Sequence, residues 1–137
     1  DTFNTIFLVL TSTLGGIAGI SLMVAGTLIM NVMLVAVSQR TQEIGLIKAL
    51  GGRRRQIVGL FLTEAAILSV FGALLGVLVG QAAIGVMREL YPLVDFQAPT
   101  WAVAAAVLMA VTSGLLFGIM PARRAASLDP VEALAGH

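Results

Sequence analysis

Residues 56–87 read QIVGLFLTEAAILSVFGALLGVLVGQAAIGVM, thirty-two positions in which Glu64 is the one charge. A helix crosses the hydrocarbon core of a bilayer with about 20 apolar residues, so this run is long enough with some to spare. Working outward, it is flanked by two more uncharged runs, Thr2–Gln39 on one side and Gln97–Pro121 on the other. The expected fold is an all-α membrane protein with three transmembrane helices.

Composition agrees. Hydrophobic residues make up 58% of the 137 positions, charged residues 11%, and the mean hydropathy is +1.01. A soluble domain covers its surface with about 25% charged residues, so much of this surface must face something other than water. The net charge of +1 gives no bulk basic field for nucleic acid. With no cysteine there is no disulfide, thiolate metal site or cysteine nucleophile.

The first run is too long for one crossing: about 36 helical residues span about 54 Å, against a core of about 30 Å. Its early part, DTFNTIFLVLTSTLGG, is also the more polar. The expectation is a stalk-like helical extension over 1–16, lying on the outer surface or standing out from it, then a transmembrane helix over 17–38. A cytoplasmic segment follows at 39–55, a second span at 56–87, an external loop at 88–99, a third span at 100–121 and a tail at 122–137.

Basic residues set the orientation. The first loop holds Arg40, Lys48, Arg53, Arg54 and Arg55 against Glu43; the second holds Arg88 against Glu89 and Asp95; the tail opens with Arg123 and Arg124. The positive-inside rule puts the first loop and the tail in the cytoplasm and the N-terminus outside. Three spans entered from outside need an upstream transmembrane helix to export that end. The start at Asp1, with no basic flank and no small-residue cleavage signal, reads as a cut through a longer protein.

Small residues recur every four positions within the spans: Gly72, Gly76 and Gly80 in the second, and Ala102, Ala106, Ala110, Gly114, Gly118 and Ala122 in the third. Such rows let helix backbones approach closely, which drives association in lipid. They predict a packing face, within the chain or across a dimer.

Enzymatic readings find no footing. The one histidine is His137, Asp1, Asp95 and Asp129 all lie outside the spans, and there is no GxxxxGK[ST] loop. No catalytic and no metal-ligating residue is expected.

The informative segment is Ser38–Gln56, SQRTQEIGLIKALGGRRRQ. Ile44, Ile47 and Leu50 recur along one face of a short helix, Thr41, Gln42, Glu43 and Lys48 occupy the other, and Gly51 and Gly52 stand where a C-cap belongs. Two readings are open: an interfacial helix on anionic lipid, and a docking helix for a cytoplasmic partner. In the tail, Asp129-Pro130-Val131-Glu132 has the pattern of an N-cap, a proline at the first helical position and an N3 acid, opening a second short helix, while Pro121 is expected to end or kink the third span. Glu64 lies about 13 Å of helix beyond Arg55, inside the inner part of the bilayer, as a structural anchor or a proton relay. Asn31 is expected to donate an interhelical hydrogen bond.

The run RTQEIGLIKALGGRRRQIVGLFLTEAAILSVFGALLGVLVG, with the closing PARRAASLDPVEAL, resembles the MacB/FtsX-like permeases of ATP-binding cassette systems. RTxEIGxxKAxG is a specific motif, and FLxEA and PxxxAxxxxPxxAL follow at the family's spacing. The resemblance covers essentially the whole chain and matches the second to fourth of the family's four helices, placing the first helix and a large extracytoplasmic domain upstream. It implies a pair of permease subunits, each contacting a separate or fused ATPase that binds ATP and magnesium, and no cofactor on this chain. ATP-driven movement would pass through the membrane to the outer domain, a mechanism called mechanotransmission, in the inner membrane. Arg40, Thr41, Glu43, Ile44, Gly45, Ile47, Lys48, Ala49 and Gly51 match the family's coupling segment, which sits on the ATPase, and so favour the docking reading. Glu64 matches the family's acid. Efflux or the export of lipoproteins or peptides, with periplasmic or outer-membrane partners, is one implied function. Regulation of cell-wall hydrolases without solute transport is the other.

Overall fold

The computed structural model describes residues 1–136, as five helices joined by short turns and one longer loop: α1 Thr2–Gln39, α2 Thr41–Ala49, α3 Arg54–Leu90, α4 Thr100–Ser127 and α5 Pro130–Ala135. The described residues contain no strand. Helices α1, α3 and α4 are long and apolar enough to cross a membrane. At 1.5 Å per residue they measure about 57, 56 and 42 Å, each longer than the hydrocarbon core. The protein is a multi-pass membrane protein.

Helix α4 lies in the middle, packed extensively on α3 and on α1, while α1 and α3 touch each other little. The packing is tightest toward the end where α1 finishes, α3 begins and α4 finishes. Met33, Val37, Ile44, Ile57, Phe61, Ala65, Ala122, Ala125 and Ala126 form the core there. Alanine fills the α4 side of that core, so the α4 backbone comes close enough for Ile57 and Phe61 to be fully buried.

Small residues mark both crossings. A side chain built at Gly118 would sit 2.7 Å from the Ala65 Cβ, and one at Gly114 would meet Ser69. Gly26 of α1 similarly lies under the Phe117 ring of α4. Dispersion replaces the hydrophobic effect as the attraction between helices in lipid, so this close approach holds α3 and α4 together.

Helix α1 continues without a break through Gly15 and Gly16, and residues 1–21 are exposed throughout. Its first half stands clear of α3 and α4. Helix α4 does not stop at Pro121 but runs on to Ser127. Proline inside a helix removes one hydrogen bond and crowds the preceding turn, at about 3 kcal/mol. Here Pro121 is fully buried, and Ala122, Ala125 and Ala126 beyond it are 0%, 0% and 1% exposed, so core packing offsets that loss.

At the far end, Arg88 Nε donates to the Phe96 carbonyl at 2.6 Å and ties the α3–α4 loop back onto α3. Tyr91 and Trp101 flank this loop, 57% and 73% exposed. Such amphipathic rings suit a membrane–water boundary.

Candidate functional site

Helices α2 and α5 meet at the core end. A one-residue break at Arg40 (φ −101°, ψ 17°) separates α1 from α2 and turns the chain. Thr41 Oγ1 donates to the carbonyls of Val37 and Ser38 at 3.1 and 2.9 Å, holding the bend. Arg40 itself reaches across to α3, where its guanidinium donates to Glu64 Oε1 at 2.7 Å.

The other end of α2 closes with a Schellman motif. Gly52 N–H donates to Ile47 O at 2.9 Å and Gly51 N–H to Lys48 O at 3.0 Å. Gly51 takes φ +93°, a conformation that favours glycine. Gly52 is needed for a different reason: a Cβ there would lie 2.7 Å from the Ile47 carbonyl oxygen. Gln56 Oε1 then accepts from Arg53 N–H at 2.8 Å and starts α3.

The inner side of α2 is Ile44 and Gly45, both buried, flanked by half-buried Thr41 and Lys48. Ile44 enters the core. Gly45 faces α5, where a Cβ would meet the Ala133 Cβ at 2.7 Å. Lys48 Nζ donates to the Leu128 carbonyl just before α5. The start of α5 is set by Asp129, whose Oδ1 accepts from Val131 N–H at 2.9 Å with Pro130 at the first helical position. Ala133 is buried against α2.

The face expected from Ile44, Ile47 and Leu50 is therefore divided. Ile44 points inward, whereas Ile47 and Leu50 are 40% and 80% exposed and stand with exposed Leu46, Glu43 and Ala49 on the outer side. The reason is Gly45: the glycine lets α5 press closely onto α2 and turns the 41-44-45-48 stripe inward. The α2–α5 pairing is the feature that α2 periodicity alone missed. A glycine in the middle of a short amphipathic helix was its one signal.

Of the two polar residues expected within the spans, Glu64 finds its partner in Arg40. Asn31 meets no other helix of this chain: among the described residues it makes no side-chain hydrogen bond, and it lies on the exposed side of α1. Its register carries it away from α4, whose contact with α1 runs through Gly26, Met33 and Val37. Of the glycine rows, Gly114 and Gly118 lie in the α3–α4 crossing. Gly72, Gly76 and Gly80 have no neighbour within 4 Å of a built Cβ and instead line an open apolar cleft of about 660 Å³. Ala102, Ala106 and Ala110 line its opposite wall, and Ala25 and Ile29 of α1 its third. Among the described residues, no group of three or more His, Asp or Glu side chains comes together.

A short helix, braced by α5 behind and closed at its C-terminal end by the glycine pair, presents Glu43, Leu46, Ile47 and Leu50 outward at the junction of two long membrane helices. Residues 15–130, which include both α2 and its junctions, match the family described as FtsX-like permease C-terminal.

The chain belongs to the FtsX-like permease family.

Similar curated proteins agree. The chain is 48% identical over 137 residues to the macrolide export ATP-binding/permease protein MacB of Marinobacter nauticus, covering 100% of the chain and 20% of that protein. It is 47% identical over 136 residues to the pyoverdine export ATP-binding/permease protein PvdT of Pseudomonas aeruginosa, covering 99% of the chain and 20% of that protein. It is 42% identical over 129 residues to the uncharacterized ABC transporter permease YknZ of Bacillus subtilis, covering 92% and 32%. The chain thus spans a fifth to a third of the relatives it matches, and it is a permease component of the ABC transporter type.

Proposed function

We propose that this chain couples ATP hydrolysis by a cytoplasmic ATPase, on a fused domain or a separate subunit, to movement of the segments of α1 and α3 beyond the opposite membrane face. The observation that carries this is the braced α2. A helix that only rested on lipid would need no partner behind it, whereas one that transmits force must not yield when pushed. Here α5 backs α2 through Gly45, Ala133 and Lys48. Arg40–Glu64 links the α1–α2 junction directly to α3.

On this reading α2 and α5 face the cytoplasm and the chain sits in the inner membrane. Glu43, Leu46, Ile47 and Leu50 contact the ATPase, which binds ATP and magnesium. A second permease subunit completes the pair. The over-length α1 and α3 carry motion outward as levers, and the names of the similar MacB and PvdT proteins favour export over regulation of a cell-wall hydrolase.

Copurification tests the reading. The full-length protein is isolated in mild detergent beside a variant carrying Glu43→Lys, Leu46→Ser, Ile47→Ser and Leu50→Ser, all on the outer face. If the ATPase is a separate subunit, it should accompany the parent and be lost from the variant. If it is fused, substrate-stimulated ATPase activity should be lost with basal hydrolysis kept. Retention of association and stimulation by a folded variant would sink the assignment.

A further inference from the structure

A groove of about 520 Å³ lies between the start of α3 and the end of α4, away from both α2 and the apolar cleft. Its charged rim is Arg54 and Arg55 from α3 and Arg123 from α4; its apolar part is Val58, Gly59, Leu62 and Ala126. We propose that this groove binds one anionic phospholipid, its phosphate against the three guanidinium groups and an acyl chain along Val58, Gly59 and Leu62.

The three arginines differ from the protein's partnered cations. Arg40 pairs with Glu64, Lys48 donates to Leu128 O and Arg88 to Phe96 O. Among the described residues, Arg54, Arg55 and Arg123 have no ion pair and no side-chain hydrogen bond, and all three are exposed. Like charges gathered from two helices repel unless an anion lies among them. Guanidinium groups suit a phosphate, since their planar donors match two of its oxygens at once.

The apolar part selects among anions. Val58, Gly59 and Leu62 occupy the first turns of a membrane-crossing helix beyond the arginines, and a Cβ at Gly59 would meet nothing within 4 Å. The groove is therefore open along the helix just where a hydrocarbon chain continues below a headgroup. A free phosphate would use the arginines and leave that part empty. An acidic protein surface would have to reach below the headgroup level. A phospholipid satisfies both parts at once. Basic pockets between transmembrane helices on the cytoplasmic side have this recognition chemistry, and the proposed topology puts the groove on that side.

The test is lipid binding by the full-length protein in mild detergent, read by native mass spectrometry with added phosphatidylglycerol or phosphatidylcholine. The variants are Arg54→Gln/Arg55→Gln/Arg123→Gln, Gly59→Trp, which blocks the groove without touching charge, and Arg88→Gln at the opposite end. Phosphatidylglycerol should bind the parent in preference to phosphatidylcholine. The triple variant should lose on the order of a hundred-fold, at about five-fold per cation. Gly59→Trp should weaken binding with all charges present, and Arg88→Gln should not. If the triple variant fails to fold, Gly59→Trp decides. Equal binding of the two lipids, unchanged binding by Gly59→Trp, or full competition by millimolar inorganic phosphate would overturn the proposal. So would a triple variant that keeps its lipid but loses the ATPase, which would assign the arginines to the protein partner.

Discussion

Arg40 and Glu64, twenty-four residues apart in sequence, form the one ion pair among the described residues, 2.7 Å between a guanidinium nitrogen and a carboxylate oxygen. It ties the end of α1 to the second turn of the shared core on α3, beside Phe61 and Ala65. The side chains are 49% and 34% exposed on the surface of the chain, and a partly exposed pair of this kind is worth about 0.5–1 kcal/mol. Glu64→Gln and Arg40→Gln should each lower the thermal stability of the detergent-solubilised protein slightly. The double variant should cost less than the sum, and the coupling should shrink in high salt. Strict additivity would show that the two side chains do not support each other.

The adjacent glycines that end α2 should respond unequally. Gly51→Ala strains only the backbone, since φ is +93° and no atom lies near the new methyl, at about 1 kcal/mol. Gly52→Ala drives a methyl toward the Ile47 carbonyl oxygen and the hydrogen bond that closes the motif, at about 1–3 kcal/mol. Thermal unfolding of the two single variants checks the order. Gly52→Ala as mild as Gly51→Ala would mean the cap is not formed in solution.

The glycine rows should also separate. Gly118→Val meets Ala65 and Gly114→Val meets Ser69, so each forces α3 and α4 apart, with about 1–3 kcal/mol lost to overpacking. Gly76→Ala enters open space in the cleft and should change stability by no more than about 0.5 kcal/mol. Folded yield and melting temperature in the same detergent decide this. A larger loss at Gly76 than at Gly118 would show that the cleft is filled in the assembled protein.

What was legible in the sequence tracks the range of the forces involved. Helix existence, number and apolar character follow from uncharged runs longer than a bilayer, and the α2 cap from Gly51-Gly52, because both are local. The Asp129–Pro130 start of α5 was equally local and is present. Pairing was less legible. Glu64 is expected as an anchor or a proton relay with no named partner, since Arg40 reads as a topology signal until the bend at its own position aims it at α3. The inward stripe of α2 was misread because Ile44, Ile47 and Leu50 fit a helical period as well as Thr41, Ile44, Gly45 and Lys48 do. Only the approach of α5 chooses between them. Pro121 is expected to end or kink the third span; the helix does not end there, and burial of the three alanines beyond it carries α4 on to Ser127.

The contact that chooses between those stripes yields the sharpest prediction. Gly45 is the one inward position on α2 where a side chain would collide with α5, with the Ala133 Cβ 2.7 Å from a built Cβ and the Pro130 carbonyl at 3.5 Å. Gly45→Leu should therefore lever α5 off α2 while leaving the outer face, Glu43, Leu46, Ile47 and Leu50, chemically unchanged. Lys48→Met should weaken the same pairing more gently by removing the donor to Leu128 O, at about 1.5–3 kcal/mol for a charged hydrogen bond, less what solvent access returns. If α5 braces α2 during force transmission, both variants of the full-length protein should keep the ATPase and its basal hydrolysis. Both should lose stimulation by substrate, Gly45→Leu more than Lys48→Met. Hydrogen exchange of the α5 backbone amides would report the separation independently, rising in the variants. Normal stimulation with α5 demonstrably detached would show that α2 works without its support, and the bracing role would have to be abandoned.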